Sequence, residues 1–135
     1  MTGSWPIDHI AIVADDLDAT IALYTKRLGF RQLYREIVAD QGVEAAGLQA
    51  GESVIELLRA LDEHSAIARY RGDAPTKLHH VAYRVENLES TLAELKANGI
   101  RLIDESPRRG AQGKRIAFLH PASTAGVLIE LCEPE

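Results

Sequence analysis

The chain has 135 residues, 46% hydrophobic and 26% charged, which suits one folded unit of domain size and excludes a disordered chain. Fifteen Lys and Arg against twenty Asp and Glu give a formal charge of -5, a balance that disfavours a nucleic-acid partner. One cysteine, Cys132, excludes an internal disulfide or thiolate zinc cluster, no apolar run approaches the roughly 18 residues of a membrane span, and the opening Met1-Thr-Gly-Ser-Trp-Pro6 lacks signal-peptide character, so a soluble, cytoplasmic protein without a membrane partner is expected.

In chain order, the apolar run at residues 6–13, which carries His9, is too short for a helix and reads as a buried strand. Asp15 or Asp16 stands where a helix N-cap belongs, and Leu17, Ile21, Tyr24 and Leu28 follow at helical spacing before Gly29 ends the helix. Strands are expected near 31–38, 43–50 and 53–60, with a turn at Gly51-Glu52. Residues 62–76, with a short helix around Ser65–Tyr70, read as a linker. The pattern then recurs: a strand at 78–85 with His79 and His80, an N-cap at Asn87, a stripe of Leu88, Leu92 and Leu95, and a stop at Gly99. Three strands near 100–105, 115–120 and 127–132 complete it, with a turn through Pro121–Gly126.

The recurrence is an internal repeat. At an offset of 71 residues, His9 falls on His80, Ala11 on Ala82 and Leu17 on Leu88, and the stretch 41–48 falls on 112–119. Val54-Ile-Glu-Leu-Leu58 matches Leu128-Ile-Glu-Leu-Cys132 at an offset of 74, through an insertion near 121–126. The expected class is α+β: a single domain of two tandem βαβββ modules, about 6–61 and about 77–133, forming an open, curved, eight-stranded barrel-like sheet around a cleft.

Strand alternation puts His9 on a face with Ile7, Ala11 and Val13, and His80 with Leu78 and Ala82. Glu56 lies between Val54 and Leu58, and Glu130 between Leu128 and Cys132; both faces of these strands are apolar. A lone His in an apolar strand is ordinarily a satisfied core histidine, and a lone Glu an edge residue. Four such residues related by a repeat read differently, because two enclosed carboxylates cost several kcal/mol each without a cation. His9, Glu56, His80 and Glu130 form a competent ligand set for one divalent transition metal; Co, Zn, Ni, Mn and Fe all suit nitrogen and oxygen donors.

With two His-to-Glu modules in tandem, the sequence resembles the vicinal oxygen chelate superfamily and, within it, the methylmalonyl-CoA epimerases. The resemblance rests on Ile7-Asp-His-Ile-Ala-Ile12, Asp40-Gln-Gly-Val43, Val54-Ile-Glu-Leu-Leu58, Ser65-Ala-Ile-Ala68 and Leu78-His-His-Val-Ala82. Arg101-Leu-Ile-Asp-Glu105, Ile116-Ala-Phe-Leu-His-Pro121 and Gly126-Val-Leu-Ile-Glu-Leu131 extend it over nearly the whole chain. It implies a metal-dependent epimerase interconverting (2R)- and (2S)-methylmalonyl-CoA by proton removal and return at C2 through a stabilised enolate. It also implies His9, His80 and Glu130 as metal ligands, with Glu56 as the fourth where family members carry Gln or Glu. The expected partner is methylmalonyl-CoA or a related acyl-CoA, the sequence does not say whether ethylmalonyl-CoA is accepted, and a homodimer is expected.

The base departs from the pattern. Some epimerases carry a glutamate where this chain has Ala45, and Glu44 lies one position earlier. A one-residue slip in a strand turns a side chain to the other face, so Glu44 serves only if the strand bulges or its register differs; otherwise it is an outward, solvated residue. Glu130 as a bound carboxylate, or bound water, is the other candidate for a proton transfer. Lys114 and Arg115, beside Arg108 and Arg109 around the Gly110–Gly113 loop, and His120 before Pro121, are candidate substrate contacts, against a plain solvated loop. His79 is expected to pack on a helix, and His64 and Cys132 to be structural. The rival enzyme is a glyoxalase I-like lyase acting on a thiol hemithioacetal with the same His, Glu, His, Glu set. Drug-sequestering proteins of this fold lack the quartet, and ring-cleaving dioxygenases use two His and one Glu in longer chains.

Overall fold

The computed structural model describes residues 4–134. The chain divides into two compact units, one spanning His9–His79, the other joining the segment that ends at Asp8 to the stretch from His80 onward.

The His9–His79 unit takes in most of β1 (Ile7–Ala14), then α1 (Leu17–Ala22), β2 (Arg31–Val38), β3 (Val43–Ala50), β4 (Ser53–Ala60), α2 (Ala66–Arg71) and the start of β5 (Thr76–Arg84). Within it β1 runs parallel to β4, β4 antiparallel to β3, and β3 antiparallel to β2. Asp16 caps α1 by accepting the Ala19 amide at 3.0 Å, which satisfies one of the free N–H groups of the first turn. Leu17 and Ile21 of α1 pack on Ala46, Leu48 and Leu57, the residues that alternation sends to one face of β3 and β4. The other face of these strands carries His9, Ala11, Gly47 and Glu56, because Ala11 pairs with Glu56 and Gly47 with Glu56 in register.

The second unit repeats the plan with the rest of β5, α3 (Leu88–Ala97), β6 (Arg108–Arg109), β7 (Arg115–Leu119) and β8 (Ile129–Glu133). Here β5 is parallel to β8, β8 antiparallel to β7, and β7 antiparallel to β6. Asn87 caps α3 through the Ser90 amide, and Leu88, Leu92 and Leu95 are all buried against Ala117, Leu119 and Leu131. The α+β class and the twice-repeated βαβββ order expected from the sequence both hold.

Two expected elements differ. Instead of one regular helix from residue 17 to 28, α1 gives way to a wide π turn over Leu23–Arg27, in which the Leu28 amide reaches the Leu23 carbonyl at 3.1 Å. Thr25 turns its hydroxyl onto the Ile21 carbonyl, 2.8 Å away, at the start of this widening. Leu28 is thereby taken off the packed stripe and is 58% exposed, while Tyr24 stays and meets Phe30 edge-on at 5.4 Å between ring centres. The strand expected near 100–105 is not formed either; only Leu102 makes a bridge, to Leu119. The Asp104 carboxylate takes the Phe118 amide at 2.8 Å, so a side chain stands in for the ladder there. Ser106-Pro107 then ends any continuation, and pairing resumes only in β6.

Candidate metal centre

Each unit brings one imidazole to one carboxylate. In the first, β1 supplies His9 and β4 supplies Glu56, with His9 Nε2 3.6 Å from Glu56 Oε1. In the second, β5 supplies His80 and β8 supplies Glu130, with His80 Nε2 3.3 Å from Glu130 Oε1. The parallel registers explain the match: Ala11 pairs with Glu56 as Ala82 pairs with Glu130, and each histidine lies two residues before its alanine on the same face. All four side chains are buried, His9 and Glu56 at 5% exposure, His80 at 3% and Glu130 at 2%.

Both separations exceed the best range for an N–H···O bond. Atoms each about 2.1 Å from a common ion lie about 3.0–3.4 Å apart at bond angles of ~90–109°; the His80–Glu130 separation falls in that range and the His9–Glu56 separation just above it. His9 with Glu56 in one unit, and His80 with Glu130 in the other, are thus buried donor pairs of the type that could hold a divalent metal.

The second oxygen of Glu56 has its own partner, which sequence reading did not find. The Tyr34 hydroxyl donates to Glu56 Oε2 at 2.9 Å. Its ring lies over Gly47, and the one signal available was that glycine in the middle of a strand, a mark of close approach.

The other expected site residues lie as follows. Glu44 shares its face of β3 with Ala46, opposite to the face of Glu56, and β3 pairs with β4 without a register shift. It accepts from Arg35 Nε at 2.9 Å and Arg59 Nη2 at 2.9 Å, and Arg35 also reaches Asp18 of α1 at 2.7 Å. Arg35, and then Arg59, hold the Glu44 carboxyl below its ordinary range. Ala45 is fully buried on the Glu56 face. Lys114 pairs with Asp8 at 2.9 Å. Arg115 bonds Glu89 and, at 3.0 Å, Glu133, and its guanidinium titrates above the usual value chiefly through Glu89. His120 uses Nδ1 to accept the Ala122 amide at 3.0 Å, capping the turn at Pro121–Ser123. His79 packs edge-on against Tyr70 of α2, their ring centres 5.2 Å apart. Cys132 is fully buried, and burial, with the charges of Asp8 and Glu130, pushes its thiol far above the ordinary range. No helix among the described residues is long and apolar enough to cross a membrane.

A profile of the glyoxalase/bleomycin resistance protein/dioxygenase superfamily matches residues 8–118. The chain belongs to that superfamily. Among the proteins it resembles, an uncharacterized Bacillus subtilis protein, YqjC, is 38% identical over 129 residues, 96% of this chain and 92% of that one. The ethylmalonyl-CoA/methylmalonyl-CoA epimerase of Cereibacter sphaeroides is 35% identical, covering 93% of this chain and 95% of its own. A singly substituted variant of the Streptomyces coelicolor methylmalonyl-CoA epimerase in complex with 2-nitronate-propionyl-CoA superposes with a TM-score of 0.90 at 35% identity, over 96% of this chain and 94% of that one. This superfamily member is therefore related along its length to methylmalonyl-CoA epimerases, one of which binds a propionyl-CoA analogue.

Proposed function

We propose that the protein is a divalent-metal-dependent epimerase that inverts C2 of methylmalonyl-CoA or a closely related acyl-CoA. The observation that carries this reading is the buried imidazole–carboxylate pair present once in each unit of a chain related to epimerases over its whole length. His9, Glu56, His80 and Glu130 would hold the ion. When bound, such an ion supplies positive charge to the substrate oxygens on which negative charge develops as the C2 proton leaves.

The chain's own residues then divide the remaining work. Ala11 and Ala82, each two residues after a histidine on its face, leave room beside the imidazoles. Inversion requires a proton to leave one side of C2 and another to arrive on the opposite side, and Glu130 is the carboxylate assigned to one of these transfers. The two arginines on Glu44, and its place on the α1 face, support leaving it outside the chemistry.

The test is exchange of solvent deuterium into C2 of methylmalonyl-CoA, followed by NMR, with metal-loaded, chelator-treated and reloaded protein. Exchange is expected with metal, its loss with chelator and its recovery on reloading. Absence of exchange in the loaded protein sinks the reading. One feature favours a second reading, a lyase acting on a thiol hemithioacetal: Glu rather than Gln at position 56, with Ala at 45, is the His, Glu, His, Glu set of glyoxalase I-like enzymes. Hemithioacetal turnover without C2 exchange would assign the protein to that reaction.

A further inference from the structure

Tyr34, Gly47 and Glu56 stand in one row across β2, β3 and β4, for Gly47 pairs directly with Tyr34 on one side and with Glu56 on the other. Neighbouring strands lie about 4.8 Å apart, so a phenol on β2 meets a carboxylate on β4 only by crossing over the residue between them. A Cβ on residue 47 would come within 2.1 Å of Tyr34 Cε2 and 2.3 Å of Cζ, ring atoms that cannot yield without moving the whole side chain. Gly47 has no positive φ, so the backbone itself does not demand glycine there. The ring does.

The placement of Tyr34 also depends on a defect in β2. Gln32 pairs with Leu48, and the next pair is Tyr34 with Gly47, so Leu33 is extra. In a regular ladder Leu33 would face Gly47, and Tyr34 would point to the face that packs on α1. The bulge and the glycine are both needed to bring the hydroxyl to Glu56.

We propose that Tyr34 is a positioning residue that ties back one oxygen of Glu56 so that the other is presented to a metal ion, with Gly47 and the Leu33 bulge as its enabling features. This rests on the reading of Glu56 as a ligand. The geometry divides the carboxylate cleanly: Oε2 takes the Tyr34 hydroxyl at 2.9 Å, while Oε1 is the oxygen that faces His9 Nε2 at 3.6 Å. A carboxylate held this way binds through one oxygen, and losing such a partner of a ligand typically costs about 10–100-fold in metal affinity.

The experiment strips the full-length protein with a chelator and reloads it with Co2+, reading affinity by competition with a chelating dye and coordination by the visible Co(II) bands. Wild type is expected to take up one Co2+. Tyr34→Phe, which keeps the ring and removes only the hydroxyl, is expected to bind Co2+ about 10–100-fold more weakly and to shift the visible bands. Gly47→Ala, which displaces the ring and leaves the hydroxyl intact, should shift the same bands in the same direction. A purely structural role for Tyr34 would lower thermal stability and leave the bands of the loaded protein in place. Wild-type affinity and spectrum in Tyr34→Phe overturn the proposal while the metal reading stands; no Co2+ uptake by wild type overturns both. If Gly47→Ala does not fold, Tyr34→Phe decides alone.

Discussion

Opposite Glu56, on the adjoining strand, stands Gly47; opposite Glu130, in the other unit, stands Phe118. The two positions are equivalent, 71 residues apart like His9 and His80. An aromatic ring lies at the row in both units, but by different routes. Phe118 comes from the adjacent strand and meets the His80 ring edge-on at 5.1 Å. Tyr34 comes from one strand further away, over the glycine, and brings a hydroxyl to the carboxylate. Two glutamates made equivalent by an internal repeat are thus unequal in their surroundings: Glu56 is held by a phenol, and Glu130 sits beside a histidine packed by a hydrocarbon ring. The repeat supplies equivalent positions, and Gly47 together with the Leu33 bulge and the Tyr34 ring makes their surroundings unequal.

Variants that break the comparison outright have the largest expected effects. His80→Ala and His9→Ala should each lose metal and turnover together, since each removes a neutral donor from its unit, and metal analysis of the purified variants checks this. Full metal content in His80→Ala would show that the ligand set is drawn wrongly. Next, the two glutamates should part company. Glu130→Gln is expected to cut turnover by about 10²–10⁴-fold, the usual contribution of a positioned acid or base. Glu56→Gln should retain metal and measurable epimerisation, because the amide oxygen remains a donor, while Glu56→Ala should lose both. Equal losses in the two Gln variants would erase the proposed division of labour.

Smaller changes sharpen the comparison. Phe118→Ala removes a buried ring beside His80 and should cost about 3–5 kcal/mol in denaturant unfolding, within the range for large aromatic deletions. The smallest effect belongs to Glu44→Gln, with turnover close to wild type and a stability loss of about 1 kcal/mol or less. Its signature is the pH dependence. Because Arg35 and Arg59 lower the folded-state pKa of Glu44, its contribution is present above the ordinary carboxylate pKa and fades as the pH falls through the lowered value. The wild-type excess in stability over Glu44→Gln should therefore shrink on acidification, and an excess that grows would contradict the ion-pair assignment.

What could be read from the sequence was what depends on local patterning. The stripe of Leu88, Leu92 and Leu95 needs only helical periodicity to be recognised, and all three residues are buried as expected. Asp16 and Asn87 act as caps because short polar side chains before an apolar-periodic run satisfy free amides. The bounds of β2, β3 and β4 followed from the turn residues between them. Leu28 misled because periodicity assumes an unbroken helix, and the π turn adds a residue to the cycle. The stretch 100–105 looked like a strand by composition, but the Asp104 side chain competes for the partner that a strand would need. Tyr34 was invisible for a related reason: strict alternation assigns it to the α1 face, and only the Leu33 bulge reverses that.

Cys132 lies on β8, two residues after Glu130, with its thiol fully buried and held protonated. Since the thiolate is the reactive form, a thiol reagent can modify it only when the packing around β8, which pairs with β5 and β7, has opened. The chain therefore carries its own clock. At low reagent the labelling rate under native conditions tracks the open population of the strand that bears Glu130, and the slowing of that rate by an added ion would report how much of the ion's binding free energy reaches that strand.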